Sequence, residues 1–150
     1  MSLFDMAVTL ALSVLLAVIA VIDWRSLRIP DRLSLPLIGA GLVLAAVGPR
    51  LGDHLIGAVL GYALLAGFGA AFYRLRGVEG LGLGDAKLFA AAGAWLGWQG
   101  LPAVLLVAAL GGLAFALATG QARRDRTIAF GPWLALGFWL VWLVWLVRGG

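Results

Sequence analysis

The chain has 150 residues, of which 63% are hydrophobic and only 12% are charged, and its mean hydropathy is +1.06. Soluble domains carry about 25% charged residues, so this composition excludes a soluble protein and indicates an integral membrane protein. We interpret the net charge of +4 as a signal for orientation in the membrane and not for nucleic-acid binding, because the basic residues flank apolar segments. With no cysteine and a single histidine, His54, neither disulfides, a cysteine nucleophile nor a histidine metal cluster is possible. We expect no metal and no cofactor.

Six apolar segments follow one another along the chain. They cover residues 6–22, 33–48, 55–73, 85–98, 101–119 and 131–147. A helix needs about 17 to 25 residues to cross a bilayer, so the second segment is marginal and the fourth is short. We predict an all-α integral membrane protein, a polytopic bundle of about six transmembrane helices in one domain over residues 1–150. No Lys or Arg precedes the first segment, so we expect it to be a retained helix and not a signal peptide.

The distribution of basic residues distinguishes six spans from a re-entrant fourth segment. If all six segments cross, the loops 23–32, 74–87 and 120–130 share one side. That side holds nine basic residues: Arg25, Arg28, Arg32, Arg74, Arg76, Lys87, Arg123, Arg124 and Arg126. The other side holds Arg50 and Arg148. Because basic loops stay in the cytoplasm, we predict six spans, these three loops on the cytoplasmic side, and both termini outside the cytoplasm.

Small residues spaced four apart predict close contacts between helices. The pairs are Gly57 with Gly61, Gly67 with Ala71, and Gly93 with Gly97. Such rows let two helix backbones approach each other closely in lipid. We therefore expect all three pairs to lie at helix–helix contacts.

Asp23 directly follows the first apolar segment, at the membrane edge of the predicted helix. An ionisable group there is a candidate for function. The alternative is a carboxylate that simply marks the helix end beside Arg25 and Arg28. The residue types alone leave both interpretations open.

Asp85 opens the fourth segment, where the ordinary role of an aspartate is to cap the helix N-terminus. Three alternate glycines precede it, namely Gly80, Gly82 and Gly84. Glycine tolerates positive φ, so these residues predict an open, extended strip of backbone. Another peptide could pair with such a strip as an added strand.

Two aspartates that meet across helices can activate water. Like charges a few Å apart cannot both ionise easily, so the pair shares a proton. One carboxylate takes a proton from the attacking water, and the protonated partner donates to the carbonyl oxygen or the leaving nitrogen. The pair titrates as a unit, so neither role is assigned to one residue. Asp31 is the rival to Asp23, but Pro30 is well placed to start a helix, and Asp31 is then a first-turn carboxylate.

Lys87 lies two residues after Asp85, so the two side chains do not share a helix face. It either orients the site, or meets an acidic group of a substrate, or is an interfacial lysine that extends its ammonium to water.

Three stretches resemble the type IV prepilin peptidases, which are membrane aspartyl proteases of the GxGD class. The first is Asp-Trp-Arg-Ser-Leu-Arg-Ile-Pro-Asp-Arg-Leu at 23–33. The second is Gly-Leu-Gly-Asp-Ala-Lys-Leu at 82–88, which continues through Gly-Ala-Trp-Leu-Gly at 93–97. The third is Ala-Phe-Gly-Pro-Trp-Leu-Ala at 129–135. Together they span nearly the whole chain in the order expected for the family.

The resemblance implies that Asp23 and Asp85 are the catalytic pair, with Gly82, Gly84 and Lys87 supporting the site or binding substrate. It implies a prepilin or pseudopilin substrate, with a basic leader and a hydrophobic N-terminal helix. The leader is cut after a glycine at the cytoplasmic face of the bacterial inner membrane. Larger members also N-methylate the new terminus and carry a Cys-containing domain. This chain has no cysteine and resembles the peptidase half, so methyl transfer is not expected.

Two other classes of function use the same features. A small membrane transporter or proton-relay subunit could use the same carboxylates, but a relay favours an acid near the bilayer midplane, and the interiors of the predicted spans contain none. A non-catalytic assembly protein would account for the packing glycines, but not for the glycines before Asp85 or for the second aspartate.

Overall fold

The computed structural model describes residues 2–77, 81–120 and 129–148. These residues form six α-helices: α1 Leu3–Ser26, α2 Asp31–Ala46, α3 Leu51–Arg76, α4 Leu83–Leu96, α5 Leu101–Ala118 and α6 Gly131–Val147. A short 3-10 helix, Trp98–Gly100, joins α4 to α5, and no strand occurs in these described ranges. The predicted all-α, polytopic membrane fold with a short fourth helix is confirmed.

Three of the described helical segments are long and apolar enough to cross a membrane. They are Leu3–Ser26, Leu51–Arg76 and Trp98–Ala118. Helix α6 is a shorter apolar helix of 17 residues. Helix α4 has 14 residues and is therefore only about 21 Å long, at about 1.5 Å per residue.

Helix α4 is the centre of the bundle. Every residue from 88 to 97 is buried, and α4 packs against α3, α2, α6 and α5. A helix that is apolar on all sides is stable only when other elements surround it. Because protein and not lipid covers most of α4, it does not need the full length of a membrane span.

Helices α3 and α4 make the most extensive contact in the bundle, and glycines allow it. A Cβ added to Gly57 would lie 2.5 Å from the carbonyl oxygen of Gly93, and one added to Gly61 would lie 2.6 Å from the carbonyl oxygen of Phe89. The close approach predicted for these rows is confirmed. The expectation for Gly67 is wrong, because a Cβ added there meets no described atom within 4 Å.

The helices alternate in direction, as the six-span prediction requires. At one end of the bundle Asp23 of α1 contacts Gly131 of α6, and Asp31 of α2 contacts Lys87 of α4. The N-terminal part of α1, the start of α3 and the end of α6 meet at the opposite end, around a cavity lined by residues that include Phe4, Arg50 and Trp145. Four residues on which the sequence analysis relied lie outside the described ranges: Gly80, Arg123, Arg124 and Arg126.

Candidate active site

Asp23 lies in the last turn of α1 and is only 5% exposed. Its Oδ2 accepts a hydrogen bond of 3.1 Å from the backbone N–H of Gly131, the first residue of α6. The first N–H groups of a helix have no partner within the helix, and its N-terminus carries partial positive charge. The start of α6 therefore holds the Asp23 carboxylate in place.

This contact gives the Phe-Gly-Pro stretch a structural role. A Cβ added to Gly131 would lie 2.6 Å from Oδ2 of Asp23 and 2.8 Å from its Cγ. Only a residue without a side chain permits this approach. Pro132 follows in the first turn of α6, where a missing N–H removes no helical hydrogen bond.

Asp85 lies in the first turn of α4 and is 9% exposed. The alternative role of helix N-cap is not the one that Asp85 has, since α4 begins at Leu83 and its N-cap is Gly82. The Oδ1 atom of Asp85 is buried and has no hydrogen-bond partner among the described residues. Asp85 therefore contributes an acceptor that the surrounding protein leaves free.

The glycines before Asp85 differ from the expected extended strip. Gly82 is extended, with φ −76° and ψ 151°, but Gly84 is already helical. A Cβ on Gly84 would lie 2.9 Å from the Cβ of Ile29 and 3.1 Å from its backbone nitrogen. Glycine at position 84 therefore allows the α1–α2 loop to approach α4 closely. Its conformational freedom is not what the position requires.

The loop between α1 and α2 starts with an unusual residue. Leu27 has φ 53° and ψ 30°, and its N–H donates to the carbonyl oxygen of Asp23 at 2.8 Å. Residues other than glycine rarely adopt this left-handed region. The turn ends α1 at Ser26, within one turn of Asp23, and directs Ile29 towards Gly84. The motifs around the two aspartates are thus in direct contact.

Asp23 and Asp85 line one cavity of about 590 Å³ at this end of the bundle. Both side chains are buried at the cavity. Loop residues on both sides and the second half of α3 complete the walls. Two buried carboxyls of this kind can hold and transfer a proton between them.

Lys87 and Asp31 form an ion pair with an Nζ–Oδ1 distance of 2.5 Å. Both residues line the same cavity as the two buried aspartates. Asp31 lies in the first turn of α2, as predicted. The pair joins the starts of α2 and α4 at the rim of the cavity, so Asp31 is not a second buried carboxyl.

Sequence reasoning missed the wall that α3 contributes to the cavity. Ala66, Gly69 and Ala70 line it, whereas the small-residue pair predicted in the second half of this helix was Gly67 with Ala71. The small residues at 66, 67 and 69–71 were the available signal. Their facing direction could not be read from spacing alone.

His54 does not line this cavity. Its Nδ1 lies 2.9 Å from the carbonyl oxygen of Ala94, and it lines the cavity at the opposite end of the bundle. Within the described residues no group of three His, Asp or Glu side chains is arranged to hold a metal ion. Asp23 and Asp85 are the two buried carboxyls that line the cavity at the other end.

Comparison with known proteins places the chain in a family. The model of the type IV leader peptidase family matches residues 10–117. A prepilin leader peptidase/N-methyltransferase of Escherichia coli (strain K12) is 50% identical over 123 residues, which cover 79% of this chain and 55% of that protein. Proteins of the same name are 43% identical over 136 residues in Aeromonas salmonicida (strain A449) and 47% identical over 127 residues in Pectobacterium carotovorum subsp. carotovorum.

The Aeromonas match covers 87% of this chain and 47% of the relative, and the Pectobacterium match covers 81% and 46%. The chain thus spans about half the length of the curated relatives it matches. No solved structure matches it. Because the family model covers well over half of the sequence, the chain belongs to the type IV leader peptidase family.

Proposed function

We propose that this protein is an aspartyl endopeptidase that removes the basic leader of type IV prepilins or pseudopilins. One observation carries the proposal: Asp23 and Asp85, which come from separate helices, are both buried against the same cavity. Ionisable groups in such positions are rare in membrane proteins and mark functional sites by default. The names of the relatives supply the substrate class.

The surroundings of the two carboxyls suit water activation. Asp23 is fixed by the Gly131 N–H, and Asp85 has a free buried acceptor. A water between them loses a proton to the ionised carboxylate, and its oxygen attacks the amide carbonyl carbon. The protonated carboxyl then donates to the leaving nitrogen as the C–N bond breaks. The two residues act as one titrating unit, so the acid and base roles belong to the pair.

The position of the site suits a substrate anchored in the membrane. Asp23 comes at the end of a long apolar helix, close in sequence to Arg25 in the last turn of α1 and to Arg28 in the loop that follows. Basic loops favour the cytoplasmic face of the bacterial inner membrane. A prepilin whose hydrophobic helix lies in the bilayer would present its leader junction at the membrane edge, where Asp23 lies.

The test is cleavage of a prepilin by the purified protein in detergent or lipid. Asp23→Asn and Asp85→Asn should each lower kcat by about a hundredfold or more, since each removes one partner of the proton transfer. Asp53→Asn is the matched control, because Asp53 lies at the start of α3, outside the cavity. It should cleave within about twofold of wild type.

Asp31→Asn addresses the rival assignment and should retain substantial activity. Membrane insertion of every variant is checked by its recovery in the membrane fraction. Wild-type activity in either Asp23→Asn or Asp85→Asn would overturn the assignment of the pair. A wild-type protein that never cuts a prepilin would overturn the proposed activity itself.

A further inference from the structure

A second cavity lies at the end of the bundle opposite to the two aspartates. Its volume is about 490 Å³, within the roughly 300 to 1,000 Å³ of small-molecule pockets. Because α1 packs mainly on α6, whereas α2 packs on α4 and α3, the cavity lies between two groups of helices. The polar and aromatic side chains that line it are Asp5, Arg50, His54, Trp95, Trp142 and Trp145. We call it the outer cavity.

His54 offers a free acceptor to the outer cavity. The residue is only 8% exposed, and its Nδ1 lies 2.9 Å from the carbonyl oxygen of Ala94. A carbonyl oxygen can only accept, so Nδ1 carries the proton of the neutral ring and Nε2 is left as an acceptor. Among the described residues no donor contacts Nε2, and this atom is not fully buried. His54 therefore suits a ligand that brings an N–H group.

The outer cavity also holds one anion and one cation that do not pair with each other. Asp5 and Arg50 both line it, yet the only ion pair among the described residues is that of Lys87 with Asp31. Arg50 directly precedes α3, whose first turn no side chain caps. Free N–H groups at a helix N-terminus and a neighbouring guanidinium favour a phosphate. The Asp5 carboxylate and the His54 acceptor favour an ammonium.

Three tryptophans suit the cationic end of such a ligand. The rings of Trp95 and Trp142 meet edge to face, with centroids 5.3 Å apart, and Trp145 lines the same cavity. Ammonium groups bind to the faces of aromatic rings, and tryptophan binds them best. The lining also includes Phe4, which is 64% exposed, and Leu44. These apolar side chains at an open edge of the bundle suit hydrocarbon chains and not a fully water-soluble ligand.

We propose that the outer cavity binds an aminophospholipid from the adjacent leaflet, with its phosphate at Arg50 and its primary ammonium at Asp5, His54 and the tryptophans. A zwitterion with N–H donors matches both charges and the Nε2 acceptor. An anionic phospholipid without an amine leaves Asp5 unpaired, and a choline headgroup keeps the positive charge but has no N–H to donate. The site is at the opposite end from Asp23 and Asp85, so the proposal does not depend on prepilin cleavage.

A series of lipids with identical acyl chains tests the headgroup. Phosphatidylethanolamine, phosphatidylcholine and phosphatidylglycerol are each added to the purified, delipidated protein in detergent, and binding is measured by native mass spectrometry. The ethanolamine lipid should bind about tenfold or more tightly than either of the others, because hydrogen bonds between charged groups are strong. Equal binding of the ethanolamine and choline lipids, or tighter binding of the glycerol lipid, would overturn the proposal.

A charge variant locates the phosphate. Arg50→Gln should weaken binding of the ethanolamine lipid by about tenfold or more, because it removes the charged donor. Arg148→Gln is the matched control, since Arg148 is an exposed arginine at the same end of the bundle that does not line the outer cavity. It should bind within about twofold of wild type. Equal losses in both variants would show a general attraction to positive charge and contradict the proposed site.

A second variant locates the ammonium. Asp5→Asn removes the negative charge but keeps an oxygen that can cap α1. The preference for the ethanolamine over the glycerol lipid should fall by about fivefold or more. Asp53→Asn, at the same end but outside the outer cavity, should leave this preference unchanged. A ratio of affinities is measured, so a loss of folded protein does not affect the result. An unchanged ratio in Asp5→Asn would overturn the assignment of the ammonium.

Discussion

At the scale of single residues, the candidate site depends on how closely Gly131 approaches Asp23. The carboxylate lies against the first backbone N–H of α6 with no room for a methyl group between them. We expect Gly131→Ala to displace the carboxyl of Asp23 and lower kcat by about tenfold or more, because small misplacements of catalytic groups are costly. The measurement is prepilin cleavage by purified protein at matched concentration.

The control for this change is Gly39→Ala on α2, where an added Cβ meets no described atom within 4 Å. Alanine is the better helix former by about 1 kcal/mol, so this variant should keep its activity and be slightly more stable. If Gly131→Ala cleaves as fast as Gly39→Ala, the contact between Gly131 and Asp23 does not position the carboxyl.

A second prediction for single residues concerns the ion pair of Lys87 and Asp31. The Asp31 side chain is 58% exposed and that of Lys87 23%, and exposed pairs contribute about 0 to 1 kcal/mol. We expect Asp31→Asn and Lys87→Gln each to lower activity no more than about fivefold, the factor that corresponds to 1 kcal/mol. The double variant should lose no more than either single one, as a double-mutant cycle would show. Additive losses would mean that the two residues act separately.

At the scale of helices, the short fourth segment was predictable and its role was not. Its length could be read from the apolar run, but its place at the centre of the bundle depends on contacts with four other helices. The predicted start of the fourth segment, at Asp85, is too late, because aspartate is by residue type a better helix cap than glycine. The helix begins earlier, at Leu83, where Gly84 packs against Ile29. Contacts distant in sequence thus override the local capping preference.

The contact between α3 and α4 offers a test in which two effects have opposite signs. Helix propensity alone predicts that Gly57→Ala stabilises the protein by about 1 kcal/mol. The added Cβ would lie 2.5 Å from the Gly93 carbonyl oxygen, and overpacking costs about 1 to 3 kcal/mol. We expect a net loss, seen as a lower thermal transition in detergent.

Gly52→Ala serves as the control on the same helix, because a Cβ there meets no described atom within 4 Å. Its thermal transition should stay the same or rise. A Gly57→Ala protein as stable as Gly52→Ala would mean that the backbones of α3 and α4 are not in close contact.

At the scale of the whole molecule, the two aspartates belong to different parts of the bundle. Asp23 lies on α1, which packs mainly on α6, and Asp85 lies on α4, which packs mainly on α3 and α2. The family resemblance identified both residues, and the basic loops indicated that they share one end. The wall that α3 contributes to the cavity could not be predicted, because the small residues at 66, 67 and 69–71 occupy several faces of the helix. Only packing selects the face that meets the cavity.

The orientation of the bundle in the membrane gives the last prediction. The loops at the site end carry most of the basic residues, so this end should face the cytoplasm. Leu75 near the end of α3 is 84% exposed, and Val47 at the opposite end is 89% exposed. Because the chain has no cysteine, Leu75→Cys and Val47→Cys each introduce one reactive thiol. A membrane-impermeant maleimide should label Val47→Cys in intact spheroplasts, and Leu75→Cys only after permeabilisation. The unsubstituted protein controls for background. The reverse pattern would place Asp23 and Asp85 outside the cytoplasm, where a leader that is still cytoplasmic could not reach them.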